Sequence, residues 1–239
     1  MKQFTTILLV FLTTLIHAQE KKQQNLPDYE QKWLHFGFTI GTNVMNFNID
    51  RADNFFNQDE FNQIYAIEST SHTGFHLGPV TNVHLGEYFD FRLLVNLSFT
   101  QRDLSYLVVE DTLATNPELS KHTMKISSTY LEFPMLIKYK AMRLNNYRPY
   151  LIAGINPKID LAAQKKIKED EMPKIRLKNL DVAWEIGAGI DFYLPYFKFS
   201  TEIKYSVGVL NMAEPDDTQF TSSMKNMRSK AWMISFHFE

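Results

Sequence analysis

Apolar and polar residues alternate with a period of two along most of this chain, and each run of alternation predicts a strand with one oily face. The clearest run places Phe89, Phe91, Leu93, Val95, Leu97 and Phe99 on one face and Arg92, Asn96, Ser98 and Thr100 on the other. The stretch TYLEFPMLIKY, Thr129 to Tyr139, repeats it: Leu131, Phe133, Met135, Ile137 and Tyr139 are apolar, with Glu132 and Lys138 between them. That strand extends upstream to about Met124. Similar alternation predicts strands over 33–47, 74–85, 148–163, 180–193, 197–209 and 229–238, which makes eight in all. A GxG at Gly187 and Gly189 resembles a nucleotide loop, but no helical pattern follows it, so it reads as strand.

The connections alternate in length. Gly86-Glu87-Tyr88, 143–147 and Leu194-Pro195-Tyr196 are short, and a three-residue turn forces its two strands to be antiparallel. The stretches 48–73, 101–125, 164–179 and 210–228 are long and polar. Each strand reaches the roughly nine to eleven residues that a tilted strand needs to cross hydrocarbon. In lipid an unpaired backbone group costs several kcal/mol, so such a sheet has to close on itself. The pattern therefore predicts an all-β fold: an eight-stranded antiparallel transmembrane β-barrel with four long external loops and short periplasmic turns. Phe36, Tyr88, Phe89, Tyr139, Tyr147, Tyr193, Tyr196, Phe197, Phe236 and Phe238 all fall near the short-turn ends, where an interfacial girdle belongs. Pro134 is expected to need a bulge, and an inserted residue there would reverse the faces of 135–138.

Composition alone would hide this fold. With 44% hydrophobic residues and a mean hydropathy of -0.27 the chain resembles a soluble protein, because a membrane barrel dilutes its lipid face with an equal lumen face. A formal charge of -2 provides no basic field for nucleic acid. The absence of cysteine excludes disulfide frameworks and thiol chemistry. Lys2, the apolar stretch of thirteen residues from Phe4 to Ile16, and Ala18 before Gln19 read as a cleaved signal peptide over 1–18. Such a stretch is too short to span roughly 30 Å of hydrocarbon as a helix. Residues 19–32 then form a flexible periplasmic tail and 33–239 the barrel domain, placed in the outer membrane after export.

A soluble lipocalin-like barrel would turn its apolar face inward. The polar face here carries Arg92, Glu132, Lys138, Glu185, Asp191, Lys198, Glu202 and Lys204, which suits a mixed-charge lumen packed by side chains. That network reads as structural, and no catalytic residue or cofactor is assigned. His35, His84 and His237 fall on inward faces near the short-turn ends of strands that become neighbours on closure, so they are the candidate zinc ligands; satisfied lumen histidines are the simpler reading. Phe55, Phe56, Phe61 and Tyr65 in the first long loop either pack over the mouth or form a partner-contact surface. Ser69, Ser71, His72, Ser120 and His122 show no spacing that identifies a triad.

Several of these segments also resemble a known family. YLEFPMLIKY (130–139) and RPYLIAGINPKIDL (148–161) resemble PorT-like outer-membrane barrels, and the first of the two is shared by many small barrels of that superfamily. HFGFTIGTNVMNFNI (35–49) and the tail QFTSSMKNMRSKAWMISFHFE narrow the resemblance to the PorT/SprT branch. Glu239 departs from a terminal aromatic. The resemblance implies a non-enzymatic component of the type IX secretion system, which exports proteins across the outer membrane and supports gliding in some bacteria. Its implied partners are outer-membrane lipid and other secretion components.

Overall fold

The computed structural model describes residues 24–52, 64–109, 119–162, 176–214 and 223–239. A 3₁₀ turn, Tyr29–Gln31, precedes eleven strands: β1 (Leu34–Arg51), β2 (Ile64–Ser71), β3 (Thr73–His84), β4 (Phe89–Leu94), β5 (Asn96–Val109), β6 (Leu119–Glu132), β7 (Met135–Lys140), β8 (Tyr147–Asp160), β9 (Leu180–Tyr193), β10 (Lys198–Gly208) and β11 (Met224–Phe238). The pairings are antiparallel and run β8-β7-β4-β3-β1-β11-β10-β9, and β9 returns to β8, so the sheet closes. Strands β5 and β6 continue from β4 and β7, and β2 pairs with β5 beyond this ring.

The eleven strands replace the eight anticipated, for two reasons. The first is proline. Val95 divides β4 from β5, and it lies opposite Pro79, whose carbonyl accepts the Val95 N–H at 3.2 Å but which has no N–H to return. Pro134 divides β6 from β7 in the same way; its carbonyl accepts from Leu94 at 3.0 Å, while the Pro157 carbonyl accepts from Phe133 at 2.9 Å. The missing bonds thus form a continuous band across neighbouring strands. No bulge is inserted: Glu132 pairs with Lys158 and Met135 with Ile155, so both strands advance by three residues. Glu132, Pro134, Leu136, Lys138 and Lys140 all point inward, and the anticipated face reversal does not occur. The wall is tight beside this band, where a Cβ on Gly78 would come within 2.9 Å of Asn96 Cα.

The second reason is strand length. Strands β1, β5, β6 and β11 run well past the expected ends, and β2 occupies part of a stretch anticipated as loop. Along this extension the pattern inverts. On β6 Lys121, Thr123, Lys125 and Ser127 are exposed and Ile126 is buried, whereas on β7 Ile137 and Tyr139 are exposed and Lys138 is buried. The inward apolar side chains of the extension, among them Phe47, Ile67, Leu104, Tyr106, Met212 and Met227, form a small core over the long-connection end. Below it the molecule is inside out. Phe36, Phe38, Ile40, Leu151, Ile186 and Trp232 lie 49–68% exposed on the outer wall, among 37 large hydrophobics of the described residues exposed to at least 37%.

This inside-out arrangement generates a test at the centre of the Phe89–Phe99 run. Val95→Arg places a guanidinium on the outward face and should destabilise folding into phospholipid vesicles by about 2–4 kcal/mol. Ser127→Arg, on the exposed face of the β6 extension, should change stability by less than about 0.5 kcal/mol. Denaturant titration of both variants measures the contrast.

Candidate functional site

The alternation that turns leucines and phenylalanines outward turns one polar side chain per two residues into the lumen, and their charges fall into layers. In the middle layer Arg92 on β4 donates to Glu202 on β10 at 2.9 Å and to Glu239 at 3.1 Å. Lys198 reaches the other Glu239 oxygen at 2.5 Å. Lys138 on β7 donates to both Asp191 oxygens on β9, at 2.8 and 2.6 Å, and lies 3.8 Å from the Tyr150 ring centre. Ser200 adds a bond to Asp191 at 2.6 Å, and Tyr150 one to Glu202 at 2.9 Å. One layer higher, Lys204 pairs with Glu185 at 2.8 Å, and Asn156 bridges Glu185 at 2.7 Å to Glu132 at 3.4 Å. All eight charged residues singled out in the lumen are at most 3% exposed. A buried ion is tolerable only when an opposite charge and hydrogen bonds replace its water, and here most carboxylates and ammonium groups have both.

Two contributions to this column have little or no signal in the sequence. Glu239, read as a departure after the last aromatic, turns its side chain inward between Arg92 and Lys198. The segment 24–32, read as a flexible tail, enters the short-turn mouth. Glu30 pairs with Lys140 and Arg148, each at 3.0 Å, and accepts a short hydrogen bond from the Tyr193 hydroxyl. Tyr29 stacks on His35 with ring centres 4.0 Å apart and donates to Glu239 at 3.2 Å. Arg143, in the turn after β7, donates to the carbonyls of Asn25 and Leu26 and lies 3.6 Å from the Tyr193 ring centre. Tyr193, expected in the interfacial girdle, is therefore an inward residue at 1% exposure, whereas Tyr139, Tyr147 and Tyr196 do lie exposed. Lys140 was within reach of the pattern, since it continues the inward series Leu136, Lys138, Lys140.

The three histidines do not converge on a metal site. His35 bonds the Tyr29 carbonyl at 2.9 Å, His84 bonds Asp90 at 2.9 Å, and His237 faces Glu202 at 3.4 Å. Among the described residues no group of three or more His, Asp or Glu is placed to hold a metal ion. Tyr65 is 67% exposed on β2, and Phe55, Phe56 and Phe61 lie outside the described residues. His72 pairs with Asp103 at 3.0 Å, while the Ser69 hydroxyl accepts the Phe47 N–H at 3.4 Å, so these two residues serve local structure. A concavity of about 640 Å³ lined by Tyr139, Leu151, Ala188, Ile190, Ile203 and Ile234 opens on the outward apolar face.

Two outcomes follow. Lys138→Met leaves the Asp191 carboxylate buried beside only Ser200 and more distant charges, and should cost about 3–5 kcal/mol. Lys138→Met combined with Asp191→Leu should cost clearly less, and a denaturant double-mutant cycle reads the difference. At the mouth, burial raises the Glu30 carboxyl, but the Tyr193 hydroxyl, Lys140 and Arg148 outweigh it and hold the group at about 2, against an ordinary 4.5. Because the docked value is the lower one, these contacts support docking fully above about pH 4.5 and are lost as pH falls toward about 2. A fluorophore on Gln31→Cys should report release across that window, and Glu30→Gln should abolish the transition.

No curated protein matches the chain. Among solved structures the chain is similar to the outer membrane protein OprG from Pseudomonas aeruginosa, with 11% identity, 91% of this chain and 97% of that one covered, and a TM-score of 0.43. It is also similar to Neisserial surface protein A (NspA), with 10% identity, 84% and 96% covered, and a TM-score of 0.39. Residues 17–214 match the family described as outer membrane protein beta-barrel domain. The chain belongs to that outer-membrane β-barrel family.

Proposed function

We propose that this protein is a packed, non-enzymatic outer-membrane barrel that acts through its surfaces rather than through a pore. In this reading the eleven strands are pieces of eight staves: β2 with β3, β4 with β5 and β6 with β7 each form one continuous stave interrupted by a local break. Residues 1–18 direct export and are removed, 19–32 form a periplasmic segment, and 33–239 form the barrel, with the short turns facing the periplasm. The observation that carries the reading is the column from half-buried Glu30 through buried Arg92 and Glu202 to Lys204 and Glu185, whose paired charges occupy the lumen that a solute would need. The lumen network holds the barrel rigid.

The finer assignment is an accessory component of the type IX secretion machinery, assisting assembly or stability of the secretion and gliding apparatus. It rests on the resemblance of 35–49, 130–139, 148–161 and the tail to PorT/SprT-like barrels. A packed lumen agrees with an accessory role, since a barrel of about eight strands has no room for folded cargo. Tyr65, exposed on β2, is a candidate partner contact, and the sequence reading adds Phe55, Phe56 and Phe61. The second reading, a stand-alone porin-like or adhesion barrel, draws its support from the family alone.

Two measurements separate these readings. Purified protein in a planar bilayer should give no steady ion current, and a steady current would favour the porin. Loss of the gene should impair release of type IX cargo, and undiminished secretion would remove the secretion assignment while leaving the packed barrel intact.

A further inference from the structure

The short-turn mouth contains more positive charge than the wall around it neutralises. Lys140 has a wall partner in Asp90 at 2.7 Å. Arg148 does not: its other donors go to the neutral carbonyls of Ala141 at 2.7 Å and Glu87 at 2.6 Å, and its ion pair among the described residues is Glu30. It is 5% exposed with the segment in place, so in the closed mouth this buried charge has its counter-ion from outside the strands. Arg143 likewise meets neutral carbonyls and the Tyr193 ring. The closed mouth therefore holds a carboxylate that the strands do not supply.

The segment that supplies it is held by polar and ring contacts rather than by an apolar core. None of Tyr29–Gln31 is a fully buried residue, and its contacts are polar or ring-stacking. Leu26 sits at a φ of 49°, a conformation that disfavours a leucine. What the mouth recognises is peptide-like. Arg143 reads the carbonyls of Asn25 and Leu26, the Asn146 side chain accepts the Asn25 N–H at 2.8 Å, His35 bonds and stacks on Tyr29, and Lys140, Arg148 and Tyr193 take the carboxylate.

We propose that the short-turn mouth is a docking site for an acidic peptide segment of a partner, one bearing an aromatic residue directly before a carboxylate, and that Tyr29 and Glu30 are an internal stand-in which such a segment displaces. Displacement exchanges one carboxylate on Lys140 and Arg148 for another, so no charge is left uncompensated, and it relieves the backbone at Leu26. The proposal rests on the reading of the barrel as a surface-acting component. It is tested on purified protein, so it stands or fails separately from any secretion assay.

The probe is a fluorescent synthetic peptide of residues 24–32, QNLPDYEQK, with a second peptide carrying Gln in place of its Glu. The full chain with Tyr29→Ala and Glu30→Gln should bind the first peptide at least about tenfold more tightly than the unsubstituted protein does, and the Gln peptide at least about tenfold more weakly than the Glu peptide. Adding Arg148→Gln should remove that preference. Equal binding of both peptides, or binding of neither by a variant that retains heat-modifiable migration, overturns the proposal. Should the opened variant not fold, the otherwise unsubstituted chain labelled at Gln31→Cys decides: excess unlabelled peptide should shift the label to its released signal, and an unchanged signal overturns the proposal.

Discussion

Hydrocarbon supplies no water to an amide, and nearly everything in this molecule follows from that. A strand in lipid has to give its N–H and C=O groups to neighbours on both sides, and the ring from β8 through β1 and β11 back to β9 does so without an edge. Closure fixes the rest. With the oily face turned to lipid, every second side chain is enclosed with its opposite numbers from across the ring, and ionised groups enclosed together have to be neutralised together. Arg148 illustrates how far the rule extends, since it also takes the Ala141 carbonyl that Pro149 cannot serve.

The same strands obey two opposite rules along their length. Within the apolar band they are inside out, and beyond it they pack like a soluble sheet, with lysines outside and Phe47, Leu104 and Met227 within. The barrel is thereby closed at its two ends by different physics. A small apolar core, excluded from water, covers the long-connection end. At the short-turn end, where the backbone meets water again, closure depends on a few charge-assisted hydrogen bonds to a segment outside the sheet.

What the sequence discloses follows this division. The alternation at Phe89–Phe99 and Leu180–Tyr193 disclosed strand position and facing together, because lipid imposes a strict period of two. Arg92, Lys138, Asp191 and Glu202 were legible as lumen residues for the same reason. The β2 strand was not, since its outward residues Glu68 and Thr70 face no lipid and carry no membrane signature. Pro134 was legible as an interruption but not as one free of any bulge, because register depends on the partner strands. Tyr29 and Glu30 were illegible: a polar segment reads as solvent-exposed chain unless its partners, scattered over Lys140, Arg148 and Tyr193, are known to meet.

The band of prolines divides the backbone pairing of the wall unevenly. The ladder that joins the chain's first and last strands is uninterrupted from Phe38–Phe238 to Asp50–Asn226, and neither strand contains a proline. The missing bonds at Pro79, Pro134 and Pro157 fall instead across β3, β4, β7 and β8. The closing seam thus keeps a full backbone ladder where the proline band leaves gaps.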